Sequence, residues 1–451
     1  MSPDALIIGA GFAGLSAATA LVELGARVLV LEARPGLGGR ATAFRDPETG
    51  ERVDNGQHIL MGCYDETLRF LRRIGTADRV RWQVGLAVTM IDWRGHETTL
   101  QLPPVASPLH LLGGVLAWEA LDWRERISLL KIGRHFGADD PGPSETVRQW
   151  LDRHGQAPRL CELFWEPLAL AALNQSIDQA AASSFVGVLR RMFGPDPAAA
   201  ALVLPAVPLD DLYAEPACAW LRERGSQVRT NAPAKIDVVA GEVRGVRVRD
   251  DRLGAPIVIS TVPWHAFGAL FDDRPSALDD TLRHAAALAS SPIVTVNLWF
   301  DRAVMRDPLI GLPGRTFQWV FDRRAIVGGS ASHLSLVSSG AEAIVAQTNE
   351  VLIARALAEI HAALPAARSA VLKRASAVRE KRSTFSLAPD APPRPQTETA
   401  IAGLFLAGDW IDTGLPSTIE SAVVSGHRAA DAACAFTTKV TKGTTKQTNP
   451  H

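Results

Sequence analysis

Gly9-Ala10-Gly11-Phe12-Ala13-Gly14 lies between two apolar runs, and this arrangement leaves few folds open to the start of the chain. Ala5 to Ile8 reads as a buried parallel strand, Leu15 to Leu24 as the helix it feeds, and Val28 to Leu31 as the second strand of a βαβ unit. Gly9 suits the tight strand-to-helix turn, Gly11 lets backbone approach a pyrophosphate, and Gly14 allows helix and sheet to pack closely. The helix N-terminus, including Phe12 and Ala13, faces the negative charge. Glu32 closes the second strand, about 20 residues on, where a carboxylate accepts the hydroxyls of an adenosine ribose. A purely structural glycine turn would need none of these accompaniments.

The next stretch narrows the choice of dinucleotide. Ala33 leads into Arg34-Pro-Gly-Leu-Gly38-Gly39-Arg40, where a plain NAD domain would continue into another helix. A second glycine pair suits a loop wrapped around phosphates, and Arg40 offers a donor fork to a pyrophosphate or to nearby carbonyls. The plainer alternative is a surface turn with a solvated arginine. This second motif resembles that of the FAD-binding amine oxidase and carotenoid desaturase superfamily. The resemblance implies an α/β chain: a Rossmann-type FAD-binding domain with a discontinuous α+β substrate domain.

The far end of the chain points the same way. Leu404 to Ala407 reads as a short buried strand ending in Gly408-Asp409-Trp410, and Ser417-Thr418-Ile419-Glu420 reads as a capping box opening a helix. The resemblance implies that Asp409 holds the flavin's ribitol chain, and that backbone at Thr418 and Ile419 points at its pyrimidine edge. A helix N-terminus there favours the negative charge of a reduced flavin. It further implies Gly56 beside the flavin and Val238 beside the adenine. No cysteine shortly precedes Gly408, so the FAD is expected to be non-covalent.

Composition bounds the remaining classes. The chain has 451 residues, enough for two cores, and a formal net charge of −1, which offers no footprint for nucleic acid. Cys63, Cys161, Cys218 and Cys434 are scattered without metal-ligand or redox-pair spacing, which suits a reducing cytoplasm. The first strand begins almost at once, leaving no room for a signal peptide. Residues 437–451 are Thr-, Lys- and Gly-rich and are expected to be disordered. No metal site is visible. From Thr98 to Trp118 there is no Asp, Glu, Lys or Arg, but Pro103, Pro104, Pro108 and Gly113-Gly114 break any spanning helix. Residues 98–118 then read either as buried structure or as a peripheral contact with the inner face of the membrane.

The expected order is FAD domain over 1–75, 205–271 and 398–436, and substrate domain over 76–204 and 272–397. Within the latter, Ile293 to Phe300 reads as a strand and Ala341 to Leu364 as one long amphipathic helix.

Three segments carry a finer resemblance over nearly the whole chain: Val53-Asp54-Asn55-Gly56-Gln57-His58, Leu163-Phe164-Trp165-Glu166 through Asn174, and Gly408 through Glu420. Together they resemble the hydroxysqualene dehydroxylases. That family implies reductive removal of the hydroxyl of hydroxysqualene to give squalene for hopanoid or related triterpenoid synthesis, with an electron donor the sequence leaves open. Ionising an allylic alcohol needs a proton donor, an apolar groove and groups that tolerate positive charge. Glu166 among apolar residues is one candidate acid, since desolvation raises a carboxyl pKa, and His58 is its rival. Trp165 and Trp410 are candidates for facing a cation, and Asn174 for contacting substrate. The plainer readings are a paired helix-start acid, a histidine bonded to backbone, core tryptophans and a helix cap; Asp54 reads as structural. A carotenoid-type desaturase is the alternative, and a flavin-free isoprenoid-binding protein resembling the GDP-dissociation inhibitors a more distant one. Threonine at 418, where an amine oxidase would place an aromatic residue, argues against amine oxidation.

Overall fold

The computed structural model describes residues 2–105, 107–133, 140–328 and 332–447. Ala5–Ile8 is flanked by Val28–Leu31 and Ile257–Ser260, with Gln227–Arg229 and Leu404–Leu406 outside them, in a five-stranded sheet paired parallel throughout. The three central strands are buried along their whole length, as near-continuous aliphatic runs covered on both faces must be. Its strands thus come from the beginning, middle and end of the chain.

The first helix, Phe12–Glu23, begins three residues before the expected Leu15. Gly9 turns the chain at φ +111°, and a Cβ on Gly14 would lie 2.0 Å from the Gly9 carbonyl oxygen, so both positions require glycine. Against this helix packs the C-terminal one, Ile419–Gln447, with Gly426 over Ala13 and Ser16. The expected disorder from 437 is therefore corrected through Gln447. Proline is absent between Pro416 and Pro450, and Thr437 and Thr438 return their hydroxyls to the carbonyls of Ala433 and Cys434. The helix, once anchored by packing, simply propagates.

A seven-stranded sheet forms the second layer, in the order Leu372–Phe385, Ser290–Phe300, Ser332–Ser338, Trp319–Asp322, Leu309–Gly311, Ala87–Ile91, Glu97–Gln101. Alternation gives it two unlike faces. Val294, Val296 and Leu298 join Leu334 and Leu336 over the helix Asn349–Ala363. The opposite face carries Thr295, Asn297 and Trp299, and against it lies the hairpin Ala43–Arg45/Arg52–Asp54. There Trp299 Nε1 donates to Glu51 (2.8 Å) and Arg374 to Asp46 (3.2 Å). The expected long helix from Ala341 starts only at Asn349, because Thr348 caps it and residues 341–348 turn instead.

Residues 98–118 divide between the end of Glu97–Gln101 and a helix, Leu109–Ala117. That helix exposes Leu109, Leu112 and Leu116 along one side. Among the described residues no helix is long and apolar enough to cross a membrane.

Candidate active site

One cavity of about 890 Å³ runs from the turn after the first strand to the inner face of the Ala87–Ile91/Glu97–Gln101 hairpin. At one end its wall is the glycine-rich turn, where nothing on Gly11 blocks the space. A Cβ there would meet only the backbone of Gly38 and Gly39, at 3.8 and 3.9 Å. The helix starting at Phe12 has no side-chain cap and no acid in its first turn, so its N–H groups are left for an anion. Buried Glu32 accepts from the backbone N–H of Ala10 and of Arg34, both at 2.9 Å. Each carboxylate oxygen keeps a lone pair for a further donor.

The second glycine motif is held from an unexpected side. Tyr213 stacks on Phe12 with ring centroids 3.5 Å apart, and its hydroxyl donates to the carbonyls of Gly38 (2.6 Å) and Ala41 (3.1 Å). Arg40 donates to the Ser383 carbonyl (2.7 Å) and to Asp409, whose other oxygen accepts from Ser417. Arg40 thus ties the start of the chain to its end.

At the C-terminal helix the expected capping box is replaced by another arrangement. Thr418, not Ser417, caps the helix, accepting from the Ser421 N–H at 3.1 Å. Glu420 turns away and caps a different helix, Asp65–Arg73. It accepts from the N–H of Glu66 (3.1 Å) and of Thr67 (2.9 Å), and from the Thr67 hydroxyl (2.7 Å). The spacing in sequence was right for a box, but partners some 350 positions away supply more donors.

Of the sequence-expected cofactor residues, Gly9, Gly11, Phe12, Ala13, Glu32, Ala33, Arg34, Gly38, Gly39, Arg40, Gly56, Gly408, Asp409, Thr418 and Ile419 all line this cavity. Gly14 sits behind it as a packing residue. Val238 is outside, and its strand reaches the cavity instead through Ala234 and Lys235.

The expected chemical residues divide. His58 lines the cavity, half-buried, with Nδ1 2.7 Å from the Gly56 carbonyl. Burial lowers its pKa, against a smaller opposing pull from Asp54, so the ring is neutral. Nδ1–H then donates to Gly56, and Nε2 carries the lone pair. Asp54 accepts from the Leu209 N–H (3.0 Å) and from Arg323 (2.6 Å), as befits a structural acid.

Glu166 is not brought to the cavity. Burial does raise its pKa, but its carboxylate accepts from the Ile177 N–H at 2.9 Å, joining a helix to the following loop. Trp165 and Trp410 are likewise core. Trp165 Nε1 donates to Gln156 (3.0 Å) and Trp410 Nε1 to the Val262 carbonyl (3.0 Å). Asn174 does line the cavity, but as the left-handed cap of the helix Glu166–Leu173. Its amide is taken by Ser291, Thr384 and Gly340. An apolar neighbourhood in sequence cannot distinguish a helix's core side from a cavity wall.

Beyond the cofactor motifs the wall becomes apolar, with Leu86, Val88, Leu100, Phe164, Leu168 and Trp319 among its residues. Tyr64 and Arg191, which belong to no sequence motif, also line it, as does Cys63. Burial pushes the Cys63 thiol up to about 11 and raises the Tyr64 phenol as well, so both are neutral. Among the described residues no cluster could hold a metal.

A match to flavin-containing amine oxidoreductases extends over residues 12–434. The chain belongs to the flavin-containing amine oxidoreductase family. Hydroxysqualene dehydroxylase of Rhodopseudomonas palustris is 31% identical over 96% of this chain and 98% of its own. Its counterpart from Zymomonas mobilis is 28% identical over 95% and 98%. The 15-cis-phytoene desaturase of Synechococcus elongatus is 25% identical over 94% of each. In three dimensions this family member resembles an oxidoreductase from Methanosarcina mazei (TM-score 0.75, 16% identity, 95% and 99% coverage) and cyclohexylamine oxidase from Brevibacterium oxydans (0.70, 15%, 96% and 99%). These two likenesses speak for the fold. The protein is an FAD-dependent oxidoreductase, and the open turn, uncapped helix start and buried Glu32 fit that cofactor.

Proposed function

We propose that this flavoprotein removes the hydroxyl of hydroxysqualene by reduction, giving squalene for hopanoid or related triterpenoid synthesis. The observation that carries the reading is the single cavity that is a dinucleotide cradle at one end and a hydrocarbon-compatible chamber at the other. Similarity to hydroxysqualene dehydroxylases supplies the substrate class.

Reduced, non-covalently held FAD supplies the hydride in this reading. The chain's own residues do the rest. The apolar wall takes up the polyene and keeps bulk water from the reacting carbon. His58, whose Nε2 is free, takes up a proton from solvent there and passes it to the substrate hydroxyl as the carbon–oxygen bond breaks. In the overall step that bond breaks, a carbon–hydrogen bond forms, and a proton joins the departing hydroxyl to make water. Glu166, held outside the chamber, has no part in it.

Anaerobic incubation of photoreduced protein with hydroxysqualene is the test. Flavin reoxidation together with squalene formation is expected. Absence of reoxidation in folded, flavin-loaded protein would turn the reading to the oxidative, desaturase alternative, to be tried with unsaturated C30 and C40 hydrocarbons.

We further propose that the substrate is collected from the inner face of the membrane by a protein otherwise in the cytoplasm. Exposed Val84, Val105, Leu109, Leu112, Leu116 and Trp123 gather around the outer side of the hairpin whose inner side, at Leu86, Val88 and Leu100, lines the chamber. Amphipathic surfaces of this kind sit in the headgroup boundary. Leu112→Glu with Leu116→Glu is expected to abolish flotation with phosphatidylglycerol-containing vesicles while FAD content stays unchanged.

A further inference from the structure

The polar face of the seven-stranded sheet runs directly out of the chamber. Ile293 and Val337 line the cavity. Two residues beyond Ile293 on the strand Ser290–Phe300, Thr295 lies under the Asn55–His58 loop, 3.8 Å from where a Gly56 Cβ would be. Two further on is Asn297, paired across the sheet with Ser376 and Ser335. Beyond it Trp299, between His333 and Arg374, meets Glu51 of the overlying hairpin. Alternate residues share a face, so these positions form one row sandwiched between sheet and hairpin.

Thr295 and Asn297 are buried, and five polar atoms in and beside this row are shielded from solvent yet short of partners. The Thr295 hydroxyl, the Asn297 Nδ2, the Ser376 hydroxyl, the Asn55 Oδ1 and the Gln57 Nε2 each have no partner among the described residues. Their other ends are fixed: Asn297 Oδ1 bonds the His333 ring (2.9 Å), Gln57 Oε1 accepts from Arg323 (2.7 Å), and Asn55 Nδ2 donates to the Arg40 carbonyl. The free ends therefore cannot be satisfied by flipping the amides. Nearly all buried polar groups in folded proteins are paired, with protein or with ordered water, and an unmade bond costs about 1–3 kcal/mol. Five such atoms, an acceptor, two hydroxyls and two donors, gathered between the sheet and the Asn55–His58 loop, suit ordered water molecules. The seam's outer end is partly exposed Glu51; its inner end is beside His58.

We propose that this seam is a water file that carries protons from the surface to the His58 end of the chamber and carries product water out. The proposal rests on the reductive reading above. That reaction takes up one proton per hydroxyl expelled as water, in a chamber whose wall beyond the cofactor motifs is largely apolar. The electron pair comes from the reduced flavin, which is oxidised. The proton comes from solvent along the seam, and the carbon–oxygen bond breaks as the water forms.

The test uses FAD-loaded Thr295→Val and Thr295→Val/Ser376→Ala proteins, in which a methyl replaces the first hydroxyl at nearly constant shape and a hydrogen the second. Flavin content is expected to match the unaltered protein. Reoxidation of photoreduced flavin by hydroxysqualene is expected to slow about tenfold or more, with a larger solvent deuterium isotope effect. Unchanged rate and isotope effect would overturn the proposal. Two readouts are independent of turnover. A high-resolution crystal structure of the holoenzyme is expected to show water on Asn55 Oδ1, Thr295 Oγ1 and Asn297 Nδ2; a dry seam would overturn it. Thr295→Val is expected to leave stability equal or lower. A gain would show a hydroxyl buried dry, again overturning the proposal. Failure of unaltered protein to convert hydroxysqualene, with a wet seam, would sink the substrate reading and leave the water file supported.

Discussion

Arg323→Met offers a measure of what holds the His58 loop. Arg323 and Asp54 are both almost wholly buried, and Nη1 of the arginine bonds Asp54 (2.6 Å) and Gln57 (2.7 Å) together. At about 4 Å between charge centres and an effective dielectric of about 20, the attraction is about 4 kcal/mol. Desolvating the two ions offsets much of that, so the pair as a whole is close to neutral for stability. Removing one partner is a different matter, because the other charge stays buried. Arg323→Met is thus expected to cost about 3–5 kcal/mol, and Asp54→Asn a comparable amount. The double variant should cost far less than their sum, with a coupling of about 2–4 kcal/mol. Urea unfolding at saturating FAD, followed by tryptophan fluorescence, measures all three. A single-variant cost below about 1 kcal/mol, or strict additivity, would refute the reasoning.

Gly11→Val should fill the space kept open at the turn and yield colourless apoprotein; retained yellow flavin, seen by absorbance, would contradict the placement of the pyrophosphate. Glu166→Gln should leave single-turnover reoxidation within about twofold and cost about 1 kcal/mol of stability through its weakened bond to Ile177. A hundredfold loss of rate would put that carboxyl back in the chemistry. His333, buried against Trp299, has its pKa pushed down to about 3 by burial and by the Arg323 charge, from an ordinary 6.5. The unfolded chain therefore binds a proton below about pH 6.5 that the folded chain refuses. This contribution to stability is complete above about 6.5 and falls by about 1.4 kcal/mol per pH unit down to about 3. In His333→Gln that loss is absent, so the stability difference between the two proteins should shift by about 2 kcal/mol from pH 7 to pH 5 in urea titrations.

The nucleotide cradle was legible because its constraints are local. A turn at positive φ, a helix start without a side-chain cap and an acid one strand later all leave marks within some 30 residues. Asp409 could be read for the same reason, as the end of a short buried strand. Residues whose partners lie far off in the chain could not. Glu420 looks like half of a local capping box, and only the fold brings Thr67 closer than Ser417. Tyr213 carries no motif at all, and its role comes from stacking on Phe12. Glu166 and Trp165 misled because an apolar helix face looks alike whether it meets a cavity or another helix. The polar row along Thr295, Asn297 and Trp299 was visible as an alternation. Its meaning depended on Ser376 and Asn55, which only sheet register and the overlying loop bring beside it.

The link between Arg40 and Asp409 spans 369 positions, and Glu420 caps a helix that begins at Asp65. For biogenesis this means that the cofactor is expected to be gripped only once both ends of the chain are made. At ordinary translation rates roughly 20–80 s pass between synthesis of the glycine-rich turn and of the strand at Leu404. Until then the strand Ile257–Ser260 stands without its C-terminal partner, and Ala13 and Ser16 without the helix that covers them. Loading of FAD is accordingly expected to follow synthesis of the C-terminal strand and helix. Loss of the last 50 residues should leave an N-terminal fragment that carries the whole dinucleotide signature and retains no flavin.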